Sequence, residues 1–538
     1  MSGRKPLNQP GAVIGVAFVL LLLLAVAPIM LMVFKTLLDP AALSILGGIF
    51  IDSRQIGLIL NSLGVAVSAT AIAVLLGVVT AFLIAKSDVP CAAFWRVATL
   101  LPLLIPPYLS ALVWQDILRA QGPVNTMLQA LLHLDSPVVS PYGSGGVILV
   151  LGMSYFPFVS LFVQSGLSSL NPRLEEVGLL SGGTWMVLRR VTAALVLPNI
   201  AGGALFVFVL SIVNYGVPSL LQLNVFPVEI FVQFSAYYNI VSAVAMCLPL
   251  LTITLLLVLM MRRALGRRPF LALGIALKSK RMILFGNYRH ISTAVLSLIT
   301  IVSVLLPLVA MVVKIESPAS VWQAWRTGLG AIVTSLVLST ISATSALCIG
   351  FVLAYFIQRR RGMISSSADY LSILPFAFPG VVLGLGLISL WNRAGLHFVY
   401  GSSAILVVGY IALVIPYVVR ILSAGIATRV SYSVEEAVQL TTSSWWTRMY
   451  RVVLPLCAPN LLAAWALAYL LCVYELGLSI LVAPPGITPL SVRVYTLLHY
   501  GAGQIVNSLA VTSVILGLIP VVLLWLFARW LQGVVKFA

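Results

Sequence analysis

Two stretches of this chain place acidic pairs at matching positions. One runs from Glu175 to Ile200 and the other from Glu435 to Leu461, and each opens with two glutamates. A short amphipathic segment, a small-residue turn, an aromatic residue, an Arg-Val pair and a Pro-Asn follow in both. Carboxylates are favoured near a helix N-terminus. We call these two stretches the first and second acidic-pair loops. Each is predicted to form two short helices whose charged and aromatic edge faces water. The chain would therefore offer two docking points.

Cap residues define the expected helices of the two loops. In the first loop we expect Gly182 to supply the left-handed turn that ends one helix and Thr184 to cap the next. In the second loop Ser433 and Glu436 have capping-box spacing, and Ser444 takes the place of Thr184.

The remaining reactive residue types form no catalytic or metal-binding pattern. None of the lysines follows a glycine, so the Gly-Lys step of a P-loop is absent from the sequence. The histidines are scattered, and the cysteines form no CxxC pair. We therefore expect no enzyme, no cofactor and no bound metal, and we expect free thiols.

One carboxylate, Glu475, lies within an apolar stretch. An intramembrane acid is costly and usually faces a cavity or a partner. The matching position of the first half is Asn214, because both residues stand two places before a glycine. The pair either lines a pathway or holds helices together by hydrogen bonds, and the sequence favours neither.

Composition indicates a membrane protein built of helices. Of the 538 residues 61% are hydrophobic and only 8% are charged, against about 25% charged in soluble domains. Several charge-free runs exceed the roughly 20 residues that a membrane helix needs, and strand alternation is absent. We predict twelve spans near 11–34, 60–85, 97–118, 145–168, 199–221, 241–261, 291–313, 331–357, 371–391, 401–419, 460–483 and 505–528.

The net charge of +18 is explained by the distribution of basic residues and requires no nucleic acid. If the spans alternate from a cytoplasmic N-terminus, most basic residues fall on the cytoplasmic side, as the positive-inside rule predicts. This orientation makes both termini, both acidic-pair loops and the basic linker cytoplasmic. The linker is expected to lie along anionic lipid headgroups.

The chain is an internal duplication. The segment from Asn61 to Lys86 matches the one from Thr334 to Arg359 at an offset of 273, whereas the acidic pairs match at 260. We predict a first transmembrane domain over 1–261, a linker over 262–290 and a second domain over 291–538. Six spans in each half make the repeats parallel. The difference in offset predicts an insertion after Gln121.

The acidic-pair loops resemble the EAA motif of permease subunits in binding-protein-dependent ABC importers. The second loop has Glu436-Ala437 and a closing Leu-Pro, with Thr442 in place of the family's glycine, and the first keeps Gly182. The fused layout resembles permeases for ferric iron, thiamine and aminoethylphosphonate. The resemblance implies the following ATPase-coupling residues: Glu175, Glu176, Gly182, Thr184, Arg190, Glu435, Glu436, Ala437, Thr442, Ser444 and Arg451.

The same resemblance implies a bacterial inner-membrane protein with two separate ATP-binding subunits and a periplasmic or lipid-anchored solute-binding protein. Its substrate order is ferric iron first, then aminoethylphosphonate or thiamine. The alternative is a self-contained secondary transporter of two parallel six-helix halves, which would need coupling carboxylates in its spans. A membrane enzyme would need a polar catalytic cluster, which the sequence lacks.

Overall fold

Long apolar helices make up the computed structural model, which describes residues 11–265, 289–315, 317–360, 362–441, 444–500 and 503–537. Within these ranges there is no strand. Ten helices are long and apolar enough to cross a membrane, and the number is twelve when each of two bent helix pairs counts as one span. The predicted all-helical class is confirmed.

The first half contains twelve helices in chain order. They are α1 Gly11–Leu38, α2 Pro40–Ile49, α3 Ser53–Lys86, α4 Ala92–Leu104, α5 Pro107–Leu118, α6 Pro123–Leu132, α7 Ser144–Ser169, α8 Pro172–Ser181, α9 Thr184–Ile212, α10 Gly216–Leu220, α11 Phe226–Ser235 and α12 Ile240–Leu265.

The second half repeats this order with small changes. Its helices are α13 Arg289–Val313, α14 Pro318–Arg359, α15 Met363–Ala377, α16 Gly380–Trp391, α17 His397–Tyr400, α18 Ala404–Arg429, α19 Tyr432–Thr441, α20 Trp445–Val473, α21 Ser479–Val482, α22 Leu490–Tyr500 and α23 Gly503–Phe537. Between α5 and α7 the first half carries α6, whereas the short α17 is its counterpart here. The domain boundaries at 261 and 291 stay a prediction, and residues 266–288 of the linker lie outside the described residues.

Prolines break one span in each half. Helix α4 and the segment Pro107–Leu132, which contains α5 and α6, meet at 87°, and α15 and α16 meet at 109°. Ile105 and Phe378, which precede Pro106 and Pro379, are both extended, because a proline disfavours helical geometry in the residue before it. From the sequence, Pro102, Pro106 and Pro107 are expected to kink the third span, and Pro375 and Pro379 the ninth. Both kinks are confirmed.

Close helix packing forms the centre of each half. Helix α3 packs along α7, and α14 packs along α18. A Cβ atom built on Gly77 of α3 would lie 2.6 Å from Val159 Cβ, and one on Gly350 of α14 would lie 2.6 Å from Val418 Cγ1. Small residues allow such approach between membrane helices, and the two contacts are equivalent in the repeat.

The first helix of each half packs against the other half. Helix α1 lies against α14, α16 and α18, and α13 contacts α5 and α3. Lys314, which follows α13, forms an ion pair with Asp116 of α5. The halves are therefore interleaved.

Replacing Gly77 with Ala should destabilise the chain by about 1–3 kcal/mol, the usual cost of overpacking a close contact. The control is Gly64→Ala on the same helix, where an added Cβ meets nothing within 4 Å. Heating the purified chains in detergent and measuring the fraction that stays monodisperse would test this. Equal midpoints for the two variants would contradict the packing argument.

Candidate functional site

The first glutamate of the first acidic-pair loop is buried, not exposed. Glu175 on α8 accepts hydrogen bonds from Lys86 Nζ at 2.7 and 2.8 Å and from the Thr192 hydroxyl at 2.8 Å. The Lys86 and Glu175 side chains are at most 2% exposed. Lys86 is the last residue of α3, so this ion pair fixes α8 to the end of a long membrane helix.

The second loop repeats the same ion pair with a different cation. Glu435 on α19 accepts a hydrogen bond from Arg359 Nε at 2.6 Å and another from the Tyr355 hydroxyl at 2.6 Å. Arg359 ends α14 and also donates to the Val430 carbonyl at 2.7 Å. Arg448 Nε lies 3.9 Å from the same carboxylate.

Lys86 and Arg359 are matched residues of the duplication, as are Glu175 and Glu435. An isolated buried charge costs several kcal/mol, whereas a paired and hydrogen-bonded charge is tolerated. These glutamates therefore position the loops, and they are not on the exposed edge that the sequence predicts. Lys86 and Arg359 are not among the residues predicted from the sequence, although each is the basic residue that ends a matched segment.

The other predicted coupling residues lie mostly on the outer face of the loops. Glu176 and Glu436 are exposed, as are Ala437 and the equivalent pair Arg190 and Arg451. Apolar tips accompany these charges, because Leu180 and Leu440 are 88% and 90% exposed, and Trp185 and Trp446 are exposed too. Thr442 lies outside the described residues. Exposed apolar groups rimmed by charge are typical of a protein interaction surface.

The expected turn at Gly182 is wrong. Its backbone is extended, with φ of −174°, which any residue can adopt. An added Cβ there would meet only the flexible end of the Met186 side chain, which can move aside, so neither the backbone conformation nor the packing requires glycine at this position.

Two predicted caps also need correction. Gly183 is the N-cap of α9, and Thr184 is its first helical residue. Ser444 does cap its helix, because its hydroxyl accepts from Thr447 N at 3.3 Å, so Ser444 is the equivalent of Gly183. Ser433 lies inside α19, and Ser431 accepts from Val434 N at 3.3 Å instead, so the predicted capping box is absent.

The Pro-Asn that closes each loop packs against the neighbouring span. A Cβ on Gly166 of α7 would lie 2.7 Å from Asn199 Cγ, and one on Gly425 of α18 would lie 2.5 Å from Asn460 Cγ. The closing asparagine therefore occupies space that only glycine leaves open, and it fixes α9 and α20 against α7 and α18.

A cavity of about 220 Å³ lies between the two halves. It is lined by both proline breaks, by the middle of α7 and α18, and by the ends of α9 and α20. Asn214 and Glu475 both border it. Sites at a repeat interface, formed by broken helices, are typical of transporters.

Asn214 and Glu475 make equivalent hydrogen bonds in the two halves. The Asn214 side-chain oxygen accepts from Val217 N at 3.0 Å, and Glu475 Oε1 accepts from Leu478 N at 2.8 Å. The Asn214 amide also donates to the Tyr155 hydroxyl at 3.0 Å. Both residues thus stabilise a helix break and border a cavity, and their place on a transport pathway stays a prediction.

Replacing Glu175 or Glu435 with Gln should destabilise the chain by about 3–5 kcal/mol, because each change leaves a buried cation without its carboxylate. The matched controls are Glu176→Gln and Glu436→Gln, one residue along on the exposed face. Thermal stability in detergent measures the difference. The double variant Lys86→Met with Glu175→Gln should recover much of the loss. Unchanged stability in Glu175→Gln would show that the pair does not anchor the loop.

Comparison with known proteins gives relatives but no matching family model. The chain is 24% identical over 463 residues to the Fe(3+)-transport system permease protein FbpB 2 of Haemophilus influenzae, which covers 82% of this chain and 84% of the relative. It is 28% identical over 203 residues to the putative 2-aminoethylphosphonate transport system permease protein PhnV of Salmonella choleraesuis. It is 26% identical over 195 residues to the spermidine/putrescine transport system permease protein PotC of Escherichia coli.

The lengths of these matches fit the duplication. The second and third matches cover 37% and 36% of this chain but 75% and 72% of the relatives, whereas the first extends across both halves. Multiple apolar helices agree with a multi-pass membrane protein. The chain is therefore a homologue of transport-system permeases, and its length, repeat and helices are consistent with a fused permease of an ABC importer.

Proposed function

We propose that the chain is the fused permease subunit of a binding-protein-dependent ABC importer in the inner membrane. Two separate ATPase subunits would dock on the acidic-pair loops from the cytoplasm, and a solute-binding protein would deliver substrate from the other side. The main support for this proposal is the pair of helical hairpins, α8 with α9 and α19 with α20. Each hairpin is anchored by a buried ion pair and has exposed apolar residues at its tip. Both termini are cytoplasmic in this proposal.

The anchors suggest how ATP hydrolysis would be coupled to transport. A force on α8 or α19 reaches the end of α3 or α14 through Lys86–Glu175 or Arg359–Glu435. Because α3 and α14 pack along α7 and α18, which border the central cavity, moving the loops together would shift the cavity walls. Coupling requires an element with two arrangements that both sites bias, and in this proposal the two interleaved halves are that element.

The substrate within this function is a small solute. The sequence resemblance favours ferric iron, with aminoethylphosphonate or thiamine next. The relatives' names mention Fe(3+), 2-aminoethylphosphonate and spermidine/putrescine, and these names do not choose among the solutes.

A secondary transporter is the second candidate. It would use ionisable groups in its spans to couple ion movement, and the described residues that line the central cavity include one carboxylate, Glu475. It also leaves the exposed tips of both loops without a role, so we favour the importer.

Cysteines at Leu180 and Leu440, in a chain whose native cysteines are replaced by serine, should crosslink to a co-expressed ATPase subunit. Both positions are at the exposed tips of equivalent helices. A cysteine at Val67, exposed in the middle of α3, serves as the control and should not react. Labelling of the Leu180 and Leu440 sites by an impermeant reagent from outside intact cells would refute the proposed orientation.

The two loops should differ in their tolerance of charge reversal. Glu436→Lys should lower substrate uptake more than Glu176→Lys, because the second loop keeps more of the EAA pattern and carries adjacent tryptophans whose rings meet edge to face at 4.8 Å. Uptake is compared at equal membrane expression. Equal losses would show that the departures of the first loop do not weaken its contact.

A further inference from the structure

Glu475 is a carboxyl group at a position where the fold needs only an oxygen that accepts a hydrogen bond. Its Oε1 caps the turn at Leu478, and the amide of Asn214 makes the equivalent bond to Val217 in the first half. A neutral side-chain oxygen is therefore sufficient for this cap. An ionisable carboxyl group is costlier to bury than an amide, so its presence here indicates a role in addition to capping.

The surroundings of Glu475 are aromatic. Eight Tyr and Phe residues line the cavity, whereas no Lys, Arg or His occurs among the described residues that line it. The Tyr155 and Phe158 rings lie 6.3 Å apart, and the Phe376 and Tyr417 rings lie 5.4 Å apart. These two pairs come from different halves. Aromatic faces attract cations through their quadrupole, especially where water is excluded.

We propose that the central cavity binds a small organic cation, whose positive group pairs with Glu475 and lies against the aromatic rings. This inference rests on the proposed transport function and gives its substrate class. Glu475 is half-buried and borders the cavity, so the carboxylate is within reach of a ligand there. The volume of about 220 Å³ limits the ligand to a small molecule.

The cavity chemistry disfavours the other two substrate classes. A bare ferric ion is a hard cation that prefers several anionic oxygen ligands. The described lining supplies one carboxyl group, and the hydroxyls of Tyr155, Tyr215 and Tyr474 are already hydrogen-bonded to protein atoms. A phosphonate group is normally held by arginine or lysine, and the described lining offers neither. An ammonium or heteroaromatic cation needs one opposite charge and aromatic walls, and both are present.

Binding of defined probes to the purified full-length chain tests the proposal. Calorimetry would compare choline and putrescine with methylphosphonate and ferric citrate. The chain should bind at least one organic cation and neither of the other probes. Glu475→Gln keeps an oxygen for the cap, so it should weaken cation affinity at least tenfold while leaving thermal stability unchanged.

Two further variants guard against a structural explanation. Glu229→Gln removes a buried carboxylate that pairs with Arg54 at 2.8 Å outside the cavity, and it should retain full cation affinity. Tyr417→Leu removes an aromatic wall without touching the carboxylate, and it should weaken the same binding. Should Glu475→Gln unfold, the Tyr417→Leu result decides.

Binding of methylphosphonate or ferric citrate with no cation binding would overturn the inference, as would equal cation affinity in wild type, Glu475→Gln and Tyr417→Leu. Co-purification with the ATPase subunit is measured in the same preparations. A chain that holds the ATPase but binds no cation refutes this inference alone. A chain that binds cations without any ATPase supports the cavity assignment and refutes the importer function.

Discussion

In each acidic-pair loop a buried carboxylate, paired with the basic residue that ends a long helix, fixes the loop to the membrane helices. The constraint is electrostatic, because a charge removed from water must find a counter-charge and hydrogen bonds. Lys86 ends α3 and Arg359 ends α14, and each of these is the longest described helix of its half. The loops therefore cannot shift without moving those helices. Glu175 and Glu435 point inwards and fix the orientation of α8 and α19. The neighbouring glutamates, Glu176 and Glu436, therefore face outwards.

The cavity depends on a second constraint, namely that broken backbone must be satisfied inside the membrane. Four helix breaks border the same cavity: those before Pro106 and Pro379 and those after α9 and α20. Side-chain oxygens of Asn214 and Glu475 accept hydrogen bonds from backbone amides there. The Tyr474 hydroxyl donates to the Leu104 carbonyl of the other half at 2.5 Å. Polar atoms that the breaks require thus gather around one space, which becomes the natural place for a ligand.

Sequence reasoning predicted the architecture well because lipid permits few alternatives. Apolar runs gave the spans, the prolines gave the two bends, and the offsets gave the repeat. It failed where a contact joins distant segments. Glu175 and Lys86 are 89 residues apart, so amphipathic spacing could not reveal that the first glutamate of each pair points inwards. Gly182 was misjudged for a different reason, since the chain passes from α8 to α9 through an extended residue and not through a left-handed one.

The exchange of first helices between halves has a consequence for biosynthesis. Helix α1 packs against α14, α16 and α18, and roughly 280 residues separate its end from the start of α14. At about 5–20 residues per second, α1 stays in lipid for tens of seconds before its partners exist. The first half therefore cannot complete its fold during its own synthesis, and an N-terminal product released early would expose the surface that α1 should share. Because the two halves are fused in one chain, α1 stays close to α14, α16 and α18 when these helices are made.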